Sequence, residues 1–231
     1  MKAAENARGR AIVVAVDGTA ASGKGTLASR LAGHFGFAHL DSGSLYRLTA
    51  ISLLRGGLPV DDEAAAAAAA SAVNPVDAER FDLRGDEIAQ AASIVAAFPR
   101  VRKELLGYQR RFAAQPPAGA AGAVIDGRDI GTVVCPAADV KLFVDARPQT
   151  RAHRRWLELL ASGADISEEA VLADICARDT RDRNRAVAPL RPAVDAFLLD
   201  TSELAIDAAF AAALALVKPG IEEALAARRR G

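Results

Sequence analysis

The stretch Ala11-Ile12-Val13-Val14-Ala15-Val16-Asp17-Gly18-Thr19-Ala20-Ala21-Ser22-Gly23-Lys24-Gly25-Thr26 decides the fold. Its first part is apolar and rich in β-branched side chains, which favours a strand covered on both faces. From Lys24 onward the apolar residues recur about once per helical turn, at Leu27, Leu31 and Phe35. This spacing indicates a helix. The stretch therefore predicts a strand, a glycine-rich turn and a helix, in that order.

The turn has the composition of a phosphate-binding loop, with a plain glycine turn as the alternative. Small residues let successive backbone N–H groups point at phosphate oxygens, the helix start adds its positive dipole end, and Lys24 can reach the β- and γ-phosphates. Gly25 follows the lysine, so the hydroxyl that usually holds Mg²⁺ is displaced to Thr26, and direct magnesium ligation by this loop stays open. The predicted ATP-binding residues are Gly18, Thr19, Ala20, Ala21, Ser22, Gly23, Lys24, Gly25 and Thr26.

Further apolar runs at residues 123–126, 140–144 and 196–199 predict more strands. Because helical stretches separate them, the strands should form a parallel sheet with crossover connections. Residues 51–122 break this rhythm and are interpreted as an insertion on the sheet rather than a second domain. Its alanine run, residues 64–70, is predicted to be a solvent-facing helix because alanine is the best helix former.

Composition limits the classes of function. The chain has 231 residues, of which 51% are hydrophobic, so it can bury the core of one globular unit. Lys plus Arg equals Asp plus Glu, at 29 each, so no global positive field attracts a nucleic acid or an anionic membrane. Only Cys135 and Cys176 are present, the first ten residues lack an apolar signal region, and no run suits a membrane span. We expect a cytoplasmic monomer with free thiols and small-molecule partners.

Asp126 ends the strand predicted at 123–126 and begins the motif Asp126-Gly127-Arg128-Asp129. Open α/β sheets place their ligands at this carboxyl edge. A carboxylate there can orient Mg²⁺ or its bound waters beside the phosphate loop, and Arg128 can hold a phosphate bidentately. The alternative is a structural Asp–Arg pair that braces a turn.

Two sets of charged residues each have the spacing of one helix face. The first comprises Arg147, Arg151, Arg154 and Arg155, and the second comprises Arg178, Arg181, Asp182 and Arg185. The turn at residues 161–165 would fold the two helices into a hairpin. Facing arginines repel unless an anion lies between them, and ATP with a nucleoside monophosphate supplies about six negative charges. We therefore expect the hairpin to stay open until substrates arrive.

The alternative interpretation of these arginines is that they form surface ion pairs along each helix, Asp174 with Arg178 and Asp179 with Arg183. That pattern leaves four arginines without an obvious carboxylate. They are Arg151, Arg155, Arg181 and Arg185.

The phosphate loop and four later motifs resemble the bacterial cytidylate kinases. The later motifs are residues 40–47, 91–102, 126–134 and 178–190. The resemblance covers nearly the whole chain and implies an α/β fold of the P-loop NTPase type, a parallel five-stranded sheet flanked by helices. It also implies one kinase domain over residues 1–231, with a core at 10–50, 123–146 and 189–231, an insertion that binds the nucleoside monophosphate at 51–122, and an arginine-rich helical lid at 147–188.

The resemblance also implies roles for individual residues. Those at the phosphate of CMP would be Ser42, Tyr46, Arg47, Arg128 and Arg185, those at the cytosine Ser93, Arg102 and Asp129, and the one at the sugar Asp182. Cytosine presents an amino donor beside two acceptors, which suits a carboxylate or hydroxyl with an arginine, whereas uracil reverses two of these three atoms. Residues 77–90 are shorter than the corresponding part of the family's insertion, which puts the grip on the sugar in question.

The activity implied by the resemblance is transfer of the γ-phosphoryl group of ATP to CMP or dCMP. The acceptor is a phosphate oxygen that is already ionised, so positioning and charge neutralisation must supply the catalysis. We predict Lys24, Arg151, Arg178 and Arg181 as the catalytic residues, with Mg²⁺ near Asp126, held through water.

Two other functions stay open. The first is a kinase for UMP, AMP or a metabolite hydroxyl, the last of which would need Asp41 or Asp129 as a base. The second is a nucleotide-binding switch without catalysis. A guanine-reading switch would need an Asn-Lys-x-Asp element, and no asparagine of this chain is followed by lysine.

Overall fold

A computed structural model describes residues 10–83 and 85–230, so the N-terminal segment considered above lies almost entirely outside the described residues. The predicted strand and helix are present as β1 (Ile12–Gly18) and α1 (Lys24–Phe35). The other elements, in chain order, are β2 (Ala38–Asp41), α2 (Ser42–Arg55), α3 (Glu63–Ser71), a 3₁₀ helix (Pro75–Glu79), α4 (Asp86–Val95), α5 (Pro99–Ala114), β3 (Gly122–Gly127), β4 (Val140–Asp145), α6 (Pro148–Ala161), α7 (Glu168–Arg183), β5 (Phe197–Asp200) and α8 (Ile206–Arg230).

The five strands form one parallel sheet in the order β2-β3-β1-β4-β5, which confirms the predicted fold class. β1 is central, so the loop that follows it lies in the middle of the carboxyl edge. Asp41 ends β2 in register with Asp126 of β3, and both carboxylates therefore reach that edge. The residue pattern did not predict β2, because its four residues contain no β-branched side chain and only Leu40 is buried.

Both faces of the sheet are covered, which explains the unbroken apolar run of β1. Val14 and Val16 pack with α1 and α8 on one face. Val13 and Ala15 pack on the other face with α5 and the turn Ile130–Val134. All four side chains are buried. Burial of each valine stabilises the fold by about 1.5–3 kcal/mol relative to leaving it in water.

The insertion is a second helical layer made by α2, α3, α4 and α5. The alanine run does form a helix, α3, but the prediction that it faces solvent is wrong, because Ala66, Ala67 and Ala70 are buried in this layer. The small side chains allow α3 to pack closely against α2 and α5. α2 runs across the boundary predicted between residues 50 and 51. The described part of residues 77–90 holds helical elements and no strand.

α6 and α7 fold back on each other as a hairpin. Its apolar seam contains Ala152, Leu159, Val171 and Ile175. Trp156 closes the turn by donating from its indole nitrogen to the Ile166 carbonyl, at 3.0 Å. No helix within residues 10–83 and 85–230 is long and apolar enough to cross a bilayer.

Candidate active site

The phosphate loop has a backbone that its small residues make possible. A Cβ on Gly18 would lie 2.0 Å from the Val144 carbonyl oxygen, so only glycine permits this approach of β1 to β4. Gly23 adopts a φ of 85° immediately before α1. Ala21 also has a positive φ, 57°, which costs a residue with a Cβ about 1–2 kcal/mol. Such strain is typical of ligand-binding loops.

The loop is held from outside by three hydrogen bonds. Thr19 Oγ1 donates to Asp145 Oδ1 at 2.6 Å. Thr201 Oγ1 donates to the Ser22 carbonyl at 3.0 Å. The guanidinium of Arg151 donates to the Ala20 carbonyl at 3.1 Å. Asp145 and Thr201 were not predicted, because their partners lie far away in sequence and no local motif marks them.

Beside Lys24 the carboxyl edge opens into a cavity of about 80 Å³. It brings together every residue that the sequence predicted at the acceptor. These are Ser42, Tyr46, Arg47, Ser93, Arg102, Arg128, Asp129, Asp182 and Arg185. Lys24, Asp126 and Arg178 line the same cavity, so the predicted acceptor residues face the lysine of the phosphate loop.

Another cleft, of about 1340 Å³, lies between the insertion and the hairpin. Ala20, Gly25 and Thr26 of the phosphate loop line it. Five residues line both the cleft and the inner cavity, namely Lys24, Asp41, Arg47, Arg128 and Arg178. The cleft and the inner cavity therefore adjoin at this group of four cations and one carboxylate.

One side of the inner cavity is crowded with positive charge. Arg128 pairs with Asp182 at 3.0 Å, and Arg185 pairs with the same carboxylate. Among the described residues, Nε of Arg178 and Nε of Arg185 are buried nitrogens without a hydrogen-bond acceptor. Burial, and next the charge of Arg128, lower the pKa of Arg178 to about 10. Burial alone would raise the pKa of Asp182, but Arg128, Arg185 and Arg178 lower it to about 2. The site is therefore short of negative charge.

The other side of the cavity combines apolar side chains with a buried ion pair, which is chemistry that suits a nucleobase. Ala92, Ala96 and the ring of Tyr46 supply its apolar walls. Arg102 and Asp129 form a buried ion pair there, and Arg102 also donates to the Ala96 carbonyl at 3.2 Å. Burial of the pair leaves the carboxylate fixed in place with spare lone pairs, which suits an amino donor on a ligand.

Asp17 fixes the loop that carries Arg128 and Asp129, a role that was not predicted. Its two carboxylate oxygens accept hydrogen bonds from the backbone N–H groups of Ile130 and Gly131, both at 2.7 Å. Burial raises the pKa of Asp17 to about 7, although those two N–H groups oppose the rise. An acidic residue that ends an otherwise apolar buried strand is the signal that could have revealed it.

Arg151 lies outside the lining of the inner cavity, and its predicted contact with the transferred group stays a prediction. Its side chain is 1% exposed and donates to both carboxylate oxygens of Asp179, at 3.1 and 2.6 Å. It also donates to the carbonyls of Ala146 and Ala20. The expected repulsion between the two helices is therefore wrong, because an ion pair between α6 and α7 holds the hairpin together.

The other predicted unpaired arginines also differ from expectation. Arg185 pairs with Asp182, and Arg155 lies 3.3 Å from Glu158 and 3.8 Å from Asp86, so the prediction that they lack carboxylates is wrong. Spacing of four residues does not reveal these partners, because Asp182 and Glu158 are three positions away and Asp86 lies on α4. Arg181 donates to Ser93 Oγ at 2.6 Å instead of facing the phosphate loop.

The first arginine set does not form one face toward the substrates. Arg147 pairs with Glu203 at the surface. Arg154 donates to the backbone carbonyls of Thr201 and Leu204. Both therefore attach the start of the hairpin to the segment between β5 and α8. Of the two predicted sets of charged residues, Arg178, Asp182 and Arg185 line the inner cavity, and all three belong to the second set.

The surroundings of Asp126 fit a water-mediated magnesium site. Oδ1 of Asp126 lies 2.9 Å from Nε2 of His39, and a Cβ on Gly25 would lie 3.7 Å from Oδ2. The negative charges of Asp126 and Asp41 both raise the pKa of Lys24, although burial lowers it by more. Within the described ranges no three His, Cys, Asp or Glu side chains cluster as metal ligands. Mg²⁺ commonly uses one or two carboxylates, phosphates and several waters, which this donor set can supply.

Binding of ATP should take up a proton. Burial, and next the charge of Arg128, lower the pKa of Lys24 to about 7. Bound phosphates favour the charged lysine, so affinity should fall as pH rises above about 7 and binding at pH 8 should take up about one proton. Calorimetry in buffers of different ionisation enthalpy measures this uptake. Lys24→Met should abolish it, and an unchanged uptake in that variant would assign the proton to another group.

The fold and the two adjoining ligand sites define a P-loop phosphotransferase with a second anion-binding site. A family model described as cytidylate kinase matches residues 14–219. The chain belongs to the cytidylate kinase family.

Named relatives cover almost the whole chain. A cytidylate kinase of Bradyrhizobium sp. (strain ORS 278) is 53% identical over 207 residues, which are 90% of this chain and 96% of the relative. One from Nitrobacter winogradskyi is 55% identical over 210 residues, with coverage of 90% and 96%. One from Paramagnetospirillum magneticum is 57% identical over 205 residues, with coverage of 89% and 97%.

Proposed function

We propose that the chain transfers the γ-phosphoryl group of ATP to CMP or dCMP, which yields ADP and CDP or dCDP. One observation carries the proposal: a single cavity is lined by the phosphate-loop lysine, by a group of arginines and by the buried Arg102–Asp129 ion pair. The relatives reported above carry the name of this activity. As partners we propose these small molecules, and as location the cytoplasm, with the chain acting as a monomer.

ATP would lie in the wide cleft with its phosphates on residues 18–26, and the monophosphate would lie in the inner cavity. Arg47, Arg128 and Arg185 would hold its phosphate, Asp182 its sugar, and Ser93, Arg102 and Asp129 its base. Mg²⁺, held by Asp126 through water, would neutralise charge on the donor phosphates. We propose residues 51–122 as the acceptor-binding insertion and 147–188 as the lid.

Catalysis would rest on preorganised positive charge. The acceptor oxygen is ionised, so no base has to activate it, and the developing charge on the transferred group needs cations in line with both nucleotides. Lys24 and Arg178 both line the two adjoining sites. We therefore assign the catalytic roles to these two residues and give Arg151 the role of holding the loop through the Ala20 carbonyl.

The carboxylates of the site are poorly suited to a hydroxyl acceptor. Asp41 pairs with Arg47, and Asp129 pairs with Arg102. Although burial works the other way, Arg47 and Lys24 lower the pKa of Asp41 below its usual value. A base that activates a hydroxyl works best with a pKa near the operating pH, so this pairing favours a phosphate acceptor.

Acceptor-dependent ADP production tests the proposal. CMP, dCMP, UMP and AMP are compared in one coupled assay with ATP and Mg²⁺, and we expect kcat/KM for CMP to exceed that for UMP by about 10⁴, since a buried hydrogen-bond mismatch costs that much. A reaction without acceptor measures ATP hydrolysis. If no monophosphate speeds ADP production above that baseline, the chain is a nucleotide-binding switch instead.

A further inference from the structure

Besides the ion pair between Arg155 and Asp86, the hairpin contacts the insertion through a short hydrogen bond at the base side of the cavity. Arg181 lies on α7 of the hairpin, and its Nη1 donates to Oγ of Ser93 on α4 at 2.6 Å. Ser93 is 2% exposed and lines the inner cavity. Among the described residues, Arg181 itself lies outside the lining of that cavity. The arginine therefore acts on the cavity through the serine hydroxyl.

This contact decides what the serine hydroxyl can offer a ligand. A hydroxyl has one proton to donate and two lone pairs to accept. Because the guanidinium takes one lone pair, the hydroxyl is biased to donate its proton to the ligand. Asp129, across the same side of the cavity, can only accept while it is ionised. The pair thus presents one acceptor and one donor, which is the complement of an amino group beside a ring nitrogen or carbonyl.

We propose that Arg181 is a positioning residue that sets Ser93 as a hydrogen-bond donor and so makes selection of the acceptor base depend on this contact between the hairpin and the insertion. The inference rests on the proposed function, since it presupposes a pyrimidine in the inner cavity. Uracil presents an N–H donor where cytosine presents N3, so it must use the one lone pair of Ser93 that Arg181 leaves free and finds no acceptor for the hydroxyl proton there.

The neighbouring residues separate this role from a catalytic one. Arg178, one turn earlier on α7, lines the cavity beside Lys24. Arg181 is directed to the opposite, base-binding side, where its partner is a hydroxyl on the insertion. A residue that acted on the transferred phosphoryl group would affect every acceptor equally, whereas a residue that acts through Ser93 changes the ratio between acceptors.

The experiment compares kcat/KM for CMP and UMP in Arg181→Met, Arg181→Lys, Ser93→Ala and Arg181→Met/Ser93→Ala variants. Loss of one hydrogen bond is worth about a tenfold change, so Arg181→Met should lower the CMP-to-UMP ratio about tenfold. Arg181→Lys keeps a donor and should retain most of the ratio. In the Ser93→Ala background, Arg181→Met should have no further effect on it.

Arg183→Met is the matched control on the same helix. Arg183 is exposed and lies 3.7 Å from Asp179, and neither residue lines the inner cavity, so the CMP-to-UMP ratio of this variant should equal that of the wild type. Equal losses of kcat for both acceptors in Arg181→Met, with an unchanged ratio, would overturn the inference and return Arg181 to a catalytic role. If Arg181→Met does not fold, the CMP-to-UMP ratios of Arg181→Lys and Ser93→Ala decide. The inference expects the lysine variant to retain most of the ratio and the alanine variant to lower it. A wild-type protein that does not phosphorylate CMP contradicts the proposed function. Turnover of CMP with the same CMP-to-UMP ratio in Arg181→Met as in the wild type contradicts this inference alone.

Discussion

Replacement of Arg178 by methionine should reduce kcat about 10³-fold or more without lowering the free energy of unfolding. The guanidinium is buried among other cations, its Nε lacks an acceptor among the described residues, and burial followed by Arg128 depresses its pKa to about 10. The free protein therefore gains little from this charge, whereas two bound phosphates would gain much. Methionine retains the packing volume and removes the charge.

Steady-state ADP production and urea unfolding, measured on the same preparations, test this expectation. Arg183→Met is the control, because Arg183 is on the same helix and its side chain is 52% exposed. It lies 3.7 Å from Asp179, which Arg151 holds at 2.6 Å, so its loss should cost less than about 1 kcal/mol and leave kcat unaltered. A variant Arg178→Met that turns over normally would show that the cation is structural. A large loss of stability would show that the site is not short of negative charge.

Replacement of Arg151 by methionine should lower the free energy of unfolding by about 3–5 kcal/mol. The change leaves Asp179, which is 3% exposed, as a buried carboxylate without its principal partner. It also removes the hydrogen bond to the Ala20 carbonyl, so affinity for ATP should fall even where the protein stays folded. Thermal and urea unfolding with and without ATP measure both effects.

Two further variants sharpen this second test. Arg147→Met breaks a surface pair with Glu203 near the start of the same helix and should cost less than about 1 kcal/mol. Arg151→Met combined with Asp179→Leu removes both buried charges and should recover most of the lost stability. If Arg151→Met costs no more than Arg147→Met, the hairpin is not held by this ion pair.

Features set by neighbouring residues were predictable from the sequence, whereas contacts between distant segments were not. The strand, loop and helix around Lys24 were predictable because hydrophobic period and glycine placement act over a few residues. The helix of Ala64–Ala70 was also predictable, but its burial was not, because burial depends on α2 and α5 coming to lie against it. β2 was missed because four residues without β-branched side chains give no period.

The site shows the same division. Motif resemblance identified the residues around the cavity, and the structure brings them together, but spacing gave the arginines the wrong partners. Arg151 and Asp179 are 28 positions apart and meet only because the hairpin folds, so a search along one helix cannot pair them. The support that Asp17 gives to the loop of Arg128 spans more than a hundred residues and depends on the order of strands.

A crystal structure with ADP, CMP and a planar phosphoryl analogue bound between them is the most direct test of the central claim, that one cavity neutralises two anionic nucleotides and reads the acceptor's base. We predict Lys24 Nζ and the Arg178 guanidinium within hydrogen-bond distance of the analogue, with the cytosine amino group on Asp129. The central claim would be contradicted if neither Lys24 nor Arg178 contacted the analogue. It would also be contradicted if the cytosine lay outside the cavity that Arg102 and Asp129 line.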